Sequence, residues 1–325
     1  MPFKSCLPVK RETFSNAGLS ALYHKEMMDH IRSRRFLIVL ALIFVTSFAS
    51  LYGALSALNG TSPDYLYLNL YTVSGNSIPS FLSFLALLGP FIGLSLGFDG
   101  IIGEKSERTL YRLTAQPIYR DAIINGKFLA GLTIISIMVF AMGILVAAVG
   151  ILCTGILPTG EEIARIFVFL LFTVVYIAFW LALSLFFSVI CKNAATSDMA
   201  SIAVWLFCAL FMGMVAGMIA DAMYPVNDTW NALKNGMANY NCELTLNRLS
   251  PYYLFAEAVT TIMNPSVRTI NVMTMESLSG AIEGYLSFGQ SLLLVWPHLV
   301  GMAALMAVFF GASYVSFMKQ EIRAK

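Results

Sequence analysis

The sequence predicts an all-α integral membrane protein with six transmembrane helices. Hydrophobic residues make up 58% of its 325 residues and charged residues only 12%, and the mean hydropathy is +0.76. The charged residues lie outside six long apolar segments, and each segment has about the 20 residues that a helix needs to cross a hydrocarbon core of roughly 30 Å. The segments are residues 36–58, 78–98, 128–152, 166–190, 199–220 and 292–317.

Residues 1–35 form an N-terminal arm before the first predicted span. Apolar side chains recur there at helical spacing, while charged side chains occupy the other faces. This pattern predicts an amphipathic helix at the membrane surface, and it also allows a cytosolic extension of the first span. The apolar positions are Leu19, Leu22, Tyr23, Met27 and Ile31.

The basic residues predict the orientation, because short loops rich in Lys and Arg stay in the cytoplasm. Sixteen of the 20 Lys and Arg residues lie in the arm, in residues 99–127, at Lys192 or in the tail, residues 319–325. We therefore expect a multi-pass protein of the plasma membrane with both termini cytoplasmic. The net charge of +2 is too small to indicate a nucleic-acid partner.

Residues 99–127, here called the charged segment, separate the second and third spans of the permease domain, residues 36–318. Glu104, Glu107 and Arg108 provide charge and Leu110 an apolar contact, which together are typical of a docking surface. We expect Pro117 to end this helix and Asp121 to cap the next one. The alternative is a solvated loop without a partner.

The charged segment also resembles a family signature. Residues 103–110 (GEKSERTL), 116–118 (QPI), Arg120 and 126–127 (GK) are similar to the loop of ABC-2 type transporter permeases, a group related to nitrous-oxide-reductase maturation-type permeases. The sequence departs from the family at Arg108, where Gly is common. The resemblance implies a coupling helix that binds a separate ATPase subunit, through positions Glu104, Glu107, Arg108, Leu110, Arg112, Pro117 and Arg120.

The family resemblance also implies the partners and cofactors. We expect a homodimer or a pair with a second permease in the lipid bilayer, with ATP and magnesium bound by the ATPase and no enzyme activity, cofactor or metal in this chain. The 17 methionines lack ligand spacing and are more typical of packing groups in helix bundles.

Residues 221–288 predict an extracytoplasmic segment before the last span. Ser250-Pro251 is a typical helix start, with Ser250 as the N-cap, and Asn264-Pro265 is a typical stop. By resemblance this helix is a re-entrant gate, with Ser250, Pro251, Tyr252, Tyr253 and Phe255 as its residues. Cys153 and Cys242 also lie near this side and are the candidates for any disulfide.

The expected function is ATP-driven export by a permease subunit. The predicted spans contain no Asp, Glu, Lys or Arg, and His298 is the one histidine within them, so an ion-coupled mechanism is disfavoured and a hydrophobic or amphipathic substrate is favoured. One alternative is an ATPase-coupled assembly or maturation factor, handling metal or sulfur for an extracytoplasmic enzyme without bulk export. A membrane-embedded enzyme is disfavoured because the spans lack converging polar groups.

Overall fold

The computed structural model describes residues 11–58, 65–74, 78–114, 118–265 and 286–320. Within these ranges the regular elements are thirteen α-helices and one π-helical turn. They are α1 (Arg11–Arg32), α2 (Arg34–Leu58), α3 (Leu66–Thr72), α4 (Phe81–Gly97), α5 (Ile102–Ser106), α6 (Thr109–Thr114), α7 (Arg120–Thr154), α8 (Gly160–Ile190), α9 (Ala194–Leu206), the π-helical turn (Phe207–Phe211), α10 (Met212–Met223), α11 (Thr229–Asn247), α12 (Pro251–Met263) and α13 (Phe288–Lys319).

Six stretches of the described chain are long and apolar enough to cross a membrane, which confirms the predicted all-α fold with six spans. They are Phe36–Ala57, Phe81–Ser106, Arg120–Thr154, Gly160–Ile190, Ala194–Met223 and Phe288–Lys319, here called spans 1 to 6. Several extend past the predicted apolar segments, because backbone hydrogen bonding continues a helix through polar residues at its ends.

Span 4, which is α8, forms the centre of the bundle. It packs against α13, α4 and α7, and the hydroxyl of its Tyr176 donates a hydrogen bond to the Ala86 carbonyl of α4 at 2.8 Å. Such wide enclosure explains why α8 is apolar on most of its circumference. Its large buried aromatic residues are Phe169, Phe172, Tyr176 and Trp180.

The backbones of α4 and α8 approach each other most closely at Gly93. A Cβ atom at this position would lie 2.5 Å from the Ile177 carbonyl oxygen and 2.8 Å from the Leu181 amide nitrogen. One turn after Leu181 on α8, the Ser184 hydroxyl donates to the Leu94 carbonyl of α4 at 3.0 Å. Glycine is therefore required at this crossing, as at many close helix contacts in membranes.

Span 5 is divided into two halves by the π-helical turn. Its first half, α9, packs against α8 and α4, and Trp205 contacts Phe91 with ring centroids 4.6 Å apart. Its second half, α10, packs against α11, with Ala216 and Ala220 as its buried residues. The two halves therefore rest on different parts of the molecule.

Helices α11 and α12 form a hairpin that turns at residues 248–250. The amide of Asn239 donates to the Asp221 carboxylate at 2.8 Å, and the Ser250 hydroxyl donates to the Cys208 carbonyl at 2.9 Å. Helix α11 thus runs antiparallel to α10, and the hairpin turn lies beside the middle of span 5.

Arg165 of α8 holds the C-terminal end of α12, the end of that helix farthest from the hairpin turn. Its guanidinium, which is fully buried, donates at 2.7 Å to the carbonyls of Ile262 and Leu286 and at 3.1 Å to the Ser291 hydroxyl. It also pairs with the Glu161 carboxylate at 2.8 Å. These bonds compensate the desolvation of the charge and join α8, α12 and α13.

The predicted bounds of α12 are confirmed, since Ser250 and Asn264 are its N-cap and C-cap residues. The Ser250 hydroxyl makes no capping hydrogen bond and donates instead to the Cys208 carbonyl. Asp121 was also expected as an N-cap, but Tyr119 occupies that position.

The remaining local predictions concern the first helix and the cysteines. Helix α1 forms as expected, ends before Ser33 and packs along α7. Its Tyr23 hydroxyl donates to the Thr133 hydroxyl at 3.1 Å.

Cys153 and Cys242 are free thiols, so the candidate disulfide is absent from the structure.

We predict that Gly93→Ala destabilises the bundle by about 1–3 kcal/mol, because the new methyl group meets backbone atoms of α8 that have no room to move. Gly89→Ala is the matched control one turn away, since its Cβ would meet the flexible Ile177 side chain at 3.4 Å. Thermal unfolding in detergent measures both, and equal midpoints for the two variants would contradict the assigned backbone contact.

Candidate functional site

The described part of the charged segment forms two short helices, α5 and α6, between α4 and α7. The Glu107 amide donates to the Gly103 carbonyl at 3.0 Å, and the Arg108 amide donates to the Lys105 carbonyl at 3.3 Å. Arg108 then has φ of +58°, a left-handed conformation that ends α5 and redirects the chain. This geometry explains why glycine suits the position, because glycine has no Cβ to clash there.

Four charged residues meet behind α5 and form the four-charge cluster, Lys25, Glu26, Glu104 and Lys127. The Lys127 ammonium donates to Glu26 at 2.8 Å and to Glu104 at 2.9 Å. The Lys25 ammonium donates to the same carboxylates at 2.9 and 3.0 Å. The cluster joins α1, α5 and α7, because each lysine bridges the same two carboxylates.

Burial and pairing have opposite effects on the ionisation of this cluster. Burial of Glu26 raises the pKa of its carboxyl, but charge and hydrogen bonding from Lys127 and then Lys25 outweigh burial and hold that pKa below its ordinary value of 4.5. For Lys25, partial burial lowers the ammonium pKa, while Glu26 and Glu104 raise it further than burial lowers it. Lys25 and Glu26 are therefore both ionised at neutral pH.

A groove of about 610 Å³ opens beside the four-charge cluster. Its lining brings together five carboxylates and three basic groups, so negative charge is in excess. Burial lowers the pKa of His30 in this lining, which keeps the imidazole neutral. The charged lining residues are Lys25, Glu26, Asp29, Arg34, Asp99, Glu104, Glu107 and Lys127.

Leu110 and Arg120, two predicted docking residues, hold the charged segment against the rest of the bundle. Leu110 is buried in an apolar cluster with Leu22, Ile123 and Phe317. The Arg120 guanidinium donates to the carbonyls of Phe317 and Gln320 at 3.0 and 2.8 Å, at the C-terminal end of α13. Both side chains therefore contact this chain and leave little of their surface for a partner.

The other predicted docking residues divide by exposure. Glu107 and Arg108 are exposed and available to a partner, whereas the Glu104 carboxylate is held within the four-charge cluster. Arg112 lies on α6, and its side chain is outside the described residues, as is Pro117. Among the docking residues whose side chains are described, the exposed ones therefore lie at the turn between α5 and α6.

The five predicted gate residues lie at the turn and first turns of α12. Pro251 is buried beside Ser250, and Phe255 stacks on Tyr176 with ring centroids 4.2 Å apart and planes at 10°. Tyr252 and Tyr253 are half-buried. These contacts bind the start of α12 to α8 and to the π-helical turn.

A second group of charges, which the sequence did not predict, lies on the same hairpin. Arg248 donates two hydrogen bonds to the Glu257 carboxylate, at 3.0 Å from Nε and 2.8 Å from an Nη atom. The same carboxylate lies 2.8 Å from Nε2 of His298 on α13. His298 is thus in a local polar contact, and this contact joins the charged pair of the hairpin to α13.

Sequence reasoning missed this group because it placed residues 221–288 outside the apolar spans. The one available signal was the pairing potential of Arg248 and Glu257, nine positions apart across a predicted helix start. In the described part of the chain, His, Cys, Asp and Glu side chains do not gather in groups of three or more that could hold a metal ion.

Comparisons with known proteins agree with this architecture. Residues 20–322 match the family described as ABC-2 family transporter protein. The chain is similar to a protein described as "Probable ABC transporter permease protein NosY" from Stutzerimonas stutzeri, with 30% identity over 133 residues. The match covers 41% of this chain and 45% of that protein, less than half of either.

We predict that Lys127→Met lowers the free energy of unfolding by about 3–5 kcal/mol, because it leaves two buried carboxylates short of a partner. Lys25→Met is the matched control, since Lys25 contacts the same carboxylates but its side chain is 45% exposed against 5% for Lys127. We expect the control to lose about 1 kcal/mol or less. Denaturant unfolding in detergent separates the two, and equal losses would refute the unequal burial of the pairs.

We predict that Arg108→Gly stabilises the protein by about 1 kcal/mol, because glycine adopts a positive φ without the Cβ clash. Arg108→Ala removes the same charge but retains the Cβ, so it should give no comparable gain. The same unfolding measurement compares them. A gain of equal size in both variants would trace the effect to charge and would rule out backbone strain.

Proposed function

The chain belongs to the ABC-2 family of transporter proteins, and on this premise we propose that it is the permease subunit of an ATP-binding cassette exporter. It forms the translocation pathway in the plasma membrane, with both termini in the cytoplasm. A separate ATPase subunit binds ATP and magnesium. The chain itself has no catalytic role.

The observation that carries this proposal is the four-charge cluster. Glu104 of the charged segment is tied through both lysines to Glu26 of α1, and through Lys127 directly to span 3. Removing one member of a buried charge pair costs about 3–5 kcal/mol, so the three helices are expected to move together. A force applied to α5 would then reach span 3.

The docking surface in this proposal is the exposed turn between α5 and α6 together with the adjoining groove. Glu107 and Arg108 project from the turn, and the groove carries more carboxylates than basic groups. Negative charge complements basic side chains, which steer association and set its register. We therefore expect the ATPase to present Lys or Arg side chains to this face.

The proposal also includes a placement in the membrane. In this proposal α1 lies on the cytoplasmic surface beside the charged segment, and the α11–α12 hairpin re-enters the outer half of the membrane. Contacts of Ser250 with Cys208 and of Phe255 with Tyr176 support a closed position of the hairpin. The hairpin thus serves as the extracytoplasmic gate.

The proposed assembly pairs two permease chains with two ATPase chains. Span 5 supports this pairing, because most of its apolar side chains are exposed in the single chain. Its exposed residues include Leu210, Met214 and Met218. Two copies of this chain, or this chain and a second permease, would enclose the pathway between them.

A second candidate function is an ATPase-coupled assembly factor that acts on an outer partner without bulk export. It is favoured by two large apolar side chains on α11, Trp230 and Leu233, which are 78% and 83% exposed. Exposed apolar patches on a protein surface mark contacts with other proteins or with the membrane. Co-purification of an outer protein together with the ATPase would favour this candidate.

We predict that the chain, purified from its own host in mild detergent, retains a P-loop ATPase in stoichiometric amount and stimulates its hydrolysis. Glu107→Lys should reduce this stimulation by about tenfold or more, because it reverses an exposed charge at the docking surface. Its unfolding midpoint should be unchanged, since Glu107 is exposed.

Asp228→Lys is the control, because it reverses an exposed carboxylate at the start of α11, at the opposite end of the bundle in this proposal. It should leave stimulation intact. Reproducible absence of an ATPase from the folded chain would refute the permease proposal. Full stimulation by Glu107→Lys would refute the docking surface alone.

A further inference from the structure

Helix α11 follows α10 in a constant antiparallel register. Asn239 pairs with Asp221, Glu243 lies 4.0 Å from the Cβ position of Gly217, Asn247 lies 3.8 Å from that of Gly213, and Ser250 binds the Cys208 carbonyl. The paired residue numbers add up to nearly the same value throughout. The depth of each α11 residue is therefore fixed by its partner on span 5.

This register places charged and polar side chains well inside the span. Arg248 is level with Met212, Thr245 with Val215 and Asn241 with Ile219. Because span 5 runs from Ala194 to Met223 and a helix rises about 1.5 Å per residue, Arg248 lies about 5 Å and Thr245 about 10 Å from its midpoint. Both depths fall within a hydrocarbon core of roughly 30 Å.

The polar residues at these depths form one stripe on α11. Positions 234, 238, 241, 245 and 248 recur at helical spacing and carry Lys, Ala, Asn, Thr and Arg. Lys234, Asn241 and Thr245 are exposed, and the Arg248 side chain is 33% exposed despite its ion pair with Glu257. The stripe therefore faces outward from the single chain at Lys234, Asn241 and Thr245 and is partly exposed at Arg248.

Lipid is an unsuitable neighbour for such a stripe. A charged side chain near the bilayer centre costs several kcal/mol in hydrocarbon, and polar groups in spans face protein or water-filled cavities. More polar groups surround the Arg248 end of the stripe. Tyr253 interacts electrostatically there with Tyr240, Glu243, Arg248 and Glu257. By contrast, the exposed side chains of α10 at matching depth, Met214 and Met218, are apolar.

We propose that the polar stripe of α11 lines a water-filled vestibule that extends from the outer surface to the level of Arg248, and that the substrate is a hydrophilic solute. This inference rests on the proposed function, and it replaces the hydrophobic substrate expected from the spans alone. The solute crosses the outer half of the membrane among hydroxyl, amide and charged groups. The apolar face of α10 borders lipid or the second permease chain.

Thiol accessibility in intact cells tests the vestibule without a known substrate. The five cysteines are replaced by serine, and single cysteines are introduced as Thr245→Cys and, at matching depth, Met214→Cys. Asn227→Cys provides a reference in an exposed loop. A sulfonated, membrane-impermeant maleimide is then added, and the labelled fraction is followed with time.

We expect Thr245→Cys to react about tenfold or more faster than Met214→Cys and within about tenfold of the loop reference, because only a hydrated thiol ionises to the reactive thiolate. Labelling after denaturation in SDS should be complete for all variants. Equal, slow labelling of Thr245→Cys and Met214→Cys would overturn the vestibule. ATPase co-purification is measured separately, so this result leaves the permease proposal standing.

Discussion

The whole structure depends on one constraint: charged groups removed from water must find their partners within the chain. Lys127, Arg165 and Glu257 are each enclosed by the bundle, and each is hydrogen-bonded to groups from at least one other helix. An unpaired charge in such surroundings costs several kcal/mol, more than a typical apolar contact contributes. These residues therefore determine which helices stay together, while the apolar side chains fill the space between them.

The part of the fold that the sequence predicted is the part governed by local patterns. Apolar length alone located six spans, and Ser250-Pro251 with Asn264-Pro265 predicted both ends of α12. The candidate site was predicted less completely, because its charges pair across the chain. Glu26 and Lys127 are 101 positions apart, and composition or helical spacing cannot show which of many carboxylates a lysine meets. Glu104 was consequently taken for a surface residue.

The two ends of the bundle are built differently around the same central helix. At the charged segment, α1, α5 and α7 are joined by ion pairs, and Arg120 joins α7 to the end of α13. At the hairpin, α12 is fixed to α8 and α13, whereas α11 follows α10 away from the centre. The π-helical turn lies where span 5 passes from one support to the other. At that point the Ser250 hydroxyl donates a hydrogen bond to the Cys208 carbonyl, which joins the start of α12 to span 5.

Arg165 also sets an order of events during synthesis. Its carbonyl and hydroxyl partners at positions 262, 286 and 291 follow it by 97, 121 and 126 residues. At translation rates of about 5–20 residues per second, roughly 5–25 s pass between the making of this arginine and of its partners. Among the hydrogen-bond partners of Arg165 in the described residues, Glu161 alone has been made by then. The Arg165 charge is therefore incompletely paired until the hairpin has been made and α13 begins, and water must hydrate it in the meantime.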